Sequence, residues 1–167
     1  MDATLKTIIL FSSVLLTGLS AGLFYAWSVS VIPGTKKVDH ATYLEAMQAI
    51  NRAILNPAFF LIFIGSLVGL SMASIYHLHA GKATFWFMLS ATILYLAGTV
   101  GVTGLGNVPL NNKLDALELP QLTTEKLAQF RTYYETNWNR LHQIRTAFAV
   151  AAFALSLVAV FTHTQKL

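Results

Sequence analysis

The chain contains no cysteine. Disulfides, iron–sulfur clusters and thiolate-bound metals are therefore excluded within it, and its redox compartment cannot be read from it. Charge is scarce as well. Only 11% of the residues are Asp, Glu, Lys or Arg, where soluble domains carry roughly a quarter. With 55% hydrophobic residues and a mean hydropathy of +0.59, this scarcity points to lipid as the solvent. The net charge of +4 is small and its basic residues are scattered, which argues against a nucleic-acid partner. The apolar runs lack two-residue alternation, so a membrane-spanning β-barrel is excluded. No low-complexity tail or linker divides the 167 residues, and one integral membrane domain, 1–167, is expected.

What is present is long apolar runs. About 20 residues cross a bilayer, and four spans follow, at about 5–32, 57–76, 84–105 and 144–162. The first has Lys6 as its only charge. It is too long for the apolar part of a signal peptide and lacks a small-residue cleavage site. Gly18 with Gly22 and Gly65 with Gly69 are small-xxx-small pairs that favour close helix packing. Pro33 and Gly34 should end the first span. Between the first two spans, Leu44, Met47, Ile50 and Ile54 recur at helical spacing among polar residues. An amphipathic helix over 39–55 is expected, capped by Asp39 or Thr42.

A tight turn at 77–82 should join the second and third spans. It carries His77 and His79, two apart, which could bind a metal but are more simply residues of a solvated turn. The third span leaves the membrane through Gly101–Leu114, a polar, glycine-rich stretch in which Pro109 should break the helix. No proline or glycine occurs from Glu125 to Leu167, so a single long helix is expected, its first half standing out of the membrane. The fold class is all-α, a four-transmembrane-helix bundle with an amphipathic extramembrane helix and an extended fourth helix. Both termini then share one side with the 77–82 turn, where Lys6, Lys82 and Lys166 face only Asp2. The expected setting is a bacterial inner membrane with cytoplasmic termini and the long segments exported.

One end of this bundle gathers polar chemistry. Glu135, Trp138, His142 and Arg145 follow at steps of three, four and three, which places them on one helical stripe. A charge at membrane depth usually faces the bundle interior and has partners. Glu135 and the amides of Asn51, Asn56, Asn107 and Asn111 are the candidate partners of Arg145, with Thr103 and Thr146 nearby. Such a set could bind the polar head of an apolar small molecule. Arg145 would stabilise an anionic oxygen and His142 would act as a base or proton shuttle. Blander readings stand beside these. Arg145 can snorkel, His142 can be an interfacial histidine, Asn56 and Asn107 can be helix caps, and Trp27, Trp86 and Trp138 can be belt residues. His40, Glu45, Glu135 and His142 could share a metal, but no ligand motif supports it, and no cofactor is predicted.

The stretches 18–34 (GLSAGLFYAWSVSVIPG), 46–59 (AMQAINRAILNPAF), 102–114 (VTGLGNVPLNNKL) and 138–146 (WNRLHQIRT) together resemble the anthrone oxygenase-like family of small four-helix membrane proteins. The resemblance covers nearly the whole chain in order. It implies Asn51, Asn56, Pro57, Asn107, Pro109, Asn111, Trp138, Arg145 and Thr146 as functional positions. It also implies an oxygenase that converts anthrones to anthraquinones without a conventional cofactor. His142 departs from the family pattern, which has asparagine there. The expectation is a membrane-embedded, oxygenase-like protein that binds a hydrophobic aromatic or quinone-like molecule. The alternative is a non-catalytic scaffold or ligand-binding protein acting through homo-oligomer or partner contacts. Membrane lipid is the expected surrounding partner in either case.

Overall fold

A computed structural model describes residues 3–78 and 82–164. Asp2, His79 and Lys166 lie outside the described residues. Six helices organise the chain. They are α1 (Ala3–Ala26), α2 (His40–Ala53), α3 (Pro57–His77), α4 (Lys82–Leu94), α5 (Val108–Asp115) and α6 (Thr124–Thr164). Among the described residues there is no strand. Four helical rods are long and apolar enough to cross a membrane: 4–35, 57–77, 82–115 and 124–162. The chain is a multi-pass membrane protein, an all-α bundle of four transmembrane helices.

The bundle closes as a ring. α1 packs on α3, α3 on α4, α4 on α6, and α6 back on α1. Its interior is lined by residues such as Leu10, Leu70, Met88, Ala149 and Ala152, each 2% exposed or less. The α4 rod and α6 meet closely at Gly98, where an added Cβ would lie 1.9 Å from the Phe148 ring. Only glycine fits such an approach without moving the aromatic ring. Buried hydroxyls find partners inside the bundle, as lipid demands. Ser20 donates to the Tyr95 hydroxyl at 2.7 Å, and Tyr95 donates to the Phe63 carbonyl at 3.1 Å.

Two expectations about helix ends need correction. Pro33 does not stop the first rod. The helix passes through a π-helical segment, Trp27–Val31, and one more α turn, Ile32–Thr35. Nor does Pro109 break the third rod. α4 runs into π-helical Tyr95–Gly101 and Thr103–Asn107 and then directly into α5. Pro109 occupies the first turn of α5, where a missing N–H costs least. The wide π turns before it relieve the usual clash with the preceding carbonyl.

The second core lies above the membrane. α2 packs on α5 and α6, burying Tyr43, Leu44, Met47, Leu114 and Tyr134, each 2% exposed or less. α2 starts at Asp39, whose carboxylate accepts from the Thr42 amide at 3.0 Å and from its hydroxyl at 2.6 Å. Those bonds hold the Asp39 carboxyl below the usual carboxylate range. Asn56 caps α3 by accepting from the Phe59 amide at 3.0 Å. Arg131 ties the cap to the end of the first rod. Its guanidinium donates to the carbonyls of Val38, Thr35 and Lys36 and pairs with Glu135 at 3.0 Å.

Candidate functional site

Two of the three π-helical segments contribute Trp27, Thr103 and Asn107 to one end of the bundle. π turns there re-aim side chains that an α-helix would point elsewhere. Trp27 and Thr103 face a cavity of about 240 Å³ that also touches α2, the start of α3, α5 and α6. Its wall includes the aromatic rings of Phe24, Trp27, Phe59, Phe60, Phe63 and Trp138. The polar groups on it include Asn51, Thr103, Asn111, His142 and Arg145.

Arg145 is 8% exposed, so it does not snorkel. Its Nε and Nη2 donate to His142 Nδ1 at 3.2 and 3.0 Å, and its Nη1 donates to Thr103 Oγ1 at 3.2 Å. The guanidinium carbon lies 4.7 Å from the Phe24 ring and 5.1 Å from the Trp138 ring. A guanidinium has five N–H donors, so two of them have no acceptor among the described residues. Nor does any carboxylate there pair with it. The expected partnership with Glu135 is not formed. Arg131, one turn earlier on α6, takes that carboxylate. Nor do the asparagine amides bond Arg145. Asn107 and Asn111 instead bond Trp138, whose ring lies against the guanidinium.

His142 is fully buried, and its hydrogen positions follow from its neighbours. A guanidinium can only donate, so Nδ1 must be an acceptor and the ring is neutral. Nε2 then carries the proton. It donates to the Phe24 carbonyl at 3.1 Å and lies 3.0 Å from Ser28 Oγ. Trp138 stacks on the imidazole with centroids 5.1 Å apart and planes 8° apart. Thr146 turns its hydroxyl to the His142 carbonyl at 2.7 Å.

The asparagines divide. Asn107 is buried and donates to the Trp138 carbonyl at 3.2 Å, while its buried Oδ1 has no hydrogen-bond partner among the described residues. Asn111 Oδ1 accepts from Trp138 Nε1 and from the Tyr134 hydroxyl, both at 2.9 Å. Asn51 donates to the Tyr134 oxygen at 3.0 Å. Asn56 stays at its capping position outside the cavity wall. Trp27 and Trp138 are walls of the site rather than belt residues, whereas Trp86 is 60% exposed. Among the described residues, no three His, Asp or Glu side chains are grouped to hold a metal. Tyr43, on the cap side, has its hydroxyl pushed up by burial and by the nearby Glu135 carboxylate.

Phe24, Ser28 and Tyr134 were missed as site residues. Phe24 and Ser28 sit four apart at the end of an apolar run, a spacing that marks one helix face but not what it faces. Tyr134 lies four residues before Trp138 and extends the same stripe, which was the available signal.

No curated protein and no solved structure gives a match to the chain. A family model described as anthrone oxygenase matches residues 47–155. That stretch runs from the apolar face of α2 through the Trp138–His142–Arg145 stripe and covers well over half of the molecule, so the chain belongs to the anthrone oxygenase family.

Proposed function

We propose that this oxygenase-like membrane protein binds a hydrophobic aromatic or quinone-like molecule in the cavity and oxidises it with O₂. The observation that carries the reading is Arg145. It is a buried guanidinium between two aromatic rings, with two unused donors and no carboxylate partner, on a cavity wall. An uncompensated buried cation in a site shielded from water favours an anionic oxygen, a phenolate or enolate. Family membership supplies the reaction class.

In this scheme the substrate arrives from lipid past Leu55 and Phe60, which line the cavity and are 66% and 45% exposed. Its oxygen takes the donors of Arg145, beside Thr103 on the same wall. His142 has one lone pair, at Nδ1, and Arg145 occupies it. When the guanidinium turns to the substrate oxygen, that lone pair is freed to accept a proton. Oxyanion binding and release of the base are then one movement. A ring CH₂ loses a proton to give a carbanion delocalised onto the oxygen. O₂ bonds to that carbon, and the resulting peroxide anion takes the proton back from His142 to form a hydroperoxide. Loss of water with the second hydrogen leaves a carbonyl, so CH₂ and O₂ become C=O and H₂O. As written, the scheme calls for no added cofactor.

4-Nitrophenol tests the binding step, because its phenolate absorbs in the visible. Wild-type protein should favour the phenolate. Arg145→Gln should bind it about 10- to 100-fold more weakly, the worth of a charge-assisted hydrogen bond. Equal affinity in the two proteins would remove the oxyanion site. The setting we infer is a bacterial inner membrane with cytoplasmic termini. Reporter fusions at each terminus check it, and periplasmic termini would reverse it.

A further inference from the structure

We propose that the cavity holds a second polar subsite, formed by Asn51 and Asn111 and set by Tyr134. It would take a neutral hydroxyl or carbonyl oxygen on the edge of the ligand remote from Arg145. This deepens the reading above and rests on Arg145 receiving the anionic oxygen.

The inference comes from counting donors. Asn111 Oδ1 takes the Trp138 indole N–H at 2.9 Å, and an indole can only donate. The oxygen end of that amide is thereby identified. The Tyr134 hydroxyl, 2.9 Å from the same oxygen, must spend its one proton there. Its oxygen is left to accept from Asn51 Nδ2 at 3.0 Å. Both amide orientations follow from this chain. What remains is the two N–H groups of Asn111 Nδ2, the second N–H of Asn51 Nδ2, and the Oδ1 of Asn51, an acceptor. None has a partner among the described residues, although both residues line the cavity. Tyr134 is fully buried and is not part of the wall, so it holds the two amides from behind. A donor beside an acceptor is the complement of a hydroxyl, or of a carbonyl next to one.

Trp138 relates the two poles. Its ring faces the Arg145 guanidinium at 5.1 Å, while its Nε1 reaches Asn111. A flat ligand lying along the indole would meet the cation at one edge and the amides at the other. The ligand class is therefore a planar aromatic with oxygens at two separated edges, one of them anionic when bound. Tyr134 is a positioning residue in this account. It orients Asn51 and Asn111 without touching the ligand.

The test compares 2-naphthol, with one oxygen, and 2,6-dihydroxynaphthalene, with oxygens at both ends. Binding to the full chain in detergent is measured by calorimetry. Wild type should prefer the diol by about fivefold, the worth of one neutral hydrogen bond. Tyr134→Phe should erase that preference while 2-naphthol affinity stays within about twofold. Asn51→Leu, at a half-buried position, should do the same if Tyr134→Phe fails to fold. Equal binding of the two compounds by wild type overturns the subsite. So does a preference that survives the variants, or a loss that falls on both compounds alike. Arg145→Gln separates the two readings. If it leaves 2-naphthol binding intact, the oxyanion site falls, while a diol preference erased by Tyr134→Phe keeps the subsite. Absence of saturable binding by either compound overturns both.

Discussion

Arg131 and Arg145 sit on the same helix, α6, and are similarly buried, at 7% and 8% exposure. Their surroundings differ completely. Arg131 pairs with Glu135, donates to three backbone carbonyls and stacks 4.5 Å from the Tyr43 ring. Its charge is neutralised by its own protein, and it clamps the cap to the first rod. Arg145 has a neutral histidine, a threonine hydroxyl and two aromatic faces. Burying a charge is costly unless it is paired and hydrogen-bonded. Arg131 meets that condition for stability. Arg145 meets it only in part and stands on a cavity wall, which is what a site awaiting an anion would look like. Burial alone does not separate the two arginines, whereas their partners do.

Substitutions can break this contrast. The largest effect should come from Arg131→Ala, which strands the half-buried Glu135 and leaves three carbonyls without their donor. A loss of about 3–5 kcal/mol is expected, visible as a lowered midpoint in denaturant-induced unfolding. Arg145→Met should behave in the opposite way. Its unfolding midpoint should stay within about 1 kcal/mol or rise, because an apolar replacement removes an uncompensated charge. Its phenolate affinity should nonetheless drop by about 10- to 100-fold. If Arg145→Met unfolds as readily as Arg131→Ala, the two arginines are alike and the contrast fails.

Trp138→Phe probes the link between Arg145 and the asparagines. It deletes the indole donor to Asn111 and thins the aromatic face beneath the guanidinium, so about 1–2 kcal/mol of binding should go. His142→Gln should lower turnover more than ligand affinity, since the scheme uses its lone pair after the oxyanion is bound. Steady-state rates alongside affinities check that split. The smallest effect belongs to a third arginine. Arg52 pairs with Asp115 at 2.6 Å, but the two side chains are 63% and 52% exposed. Arg52→Ala should cost less than about 1 kcal/mol, and the difference should vanish in high salt.

Much of this architecture is legible before any coordinates. Long uncharged runs without two-residue alternation must become helices in lipid, because only helices and closed barrels satisfy their own backbone there, and the regular apolar spacing of α2 calls for a helix on a surface. The Trp138–His142–Arg145 stripe also follows from spacing alone. Glu135 misleads for the same reason. It lies on that stripe, but Arg131 is four residues before it and competes for the same carboxylate. Helical periodicity says which residues share a face and not which partner wins. Pro109 misleads differently. A proline normally ends a helix, and only the π-helical register before it lets the rod continue.

By itself, then, the sequence determined that the chain crosses a membrane four times, that its polar residues collect at one end, and that a charge sits at membrane depth in α6. Those outcomes depend on composition and on 3.6-residue periodicity, both local properties of the chain. The polar, glycine-rich stretch 101–114 was legible as unusual and no more. Only the tertiary structure decided that it winds as π helix as far as Asn107 and as α-helix beyond, that Thr103 reaches Arg145 and that Asn111 reaches Trp138 and Tyr134. It also decided which arginine is neutralised. These depend on how helices distant in sequence are brought side by side, where a shift of one turn would exchange one partner for another.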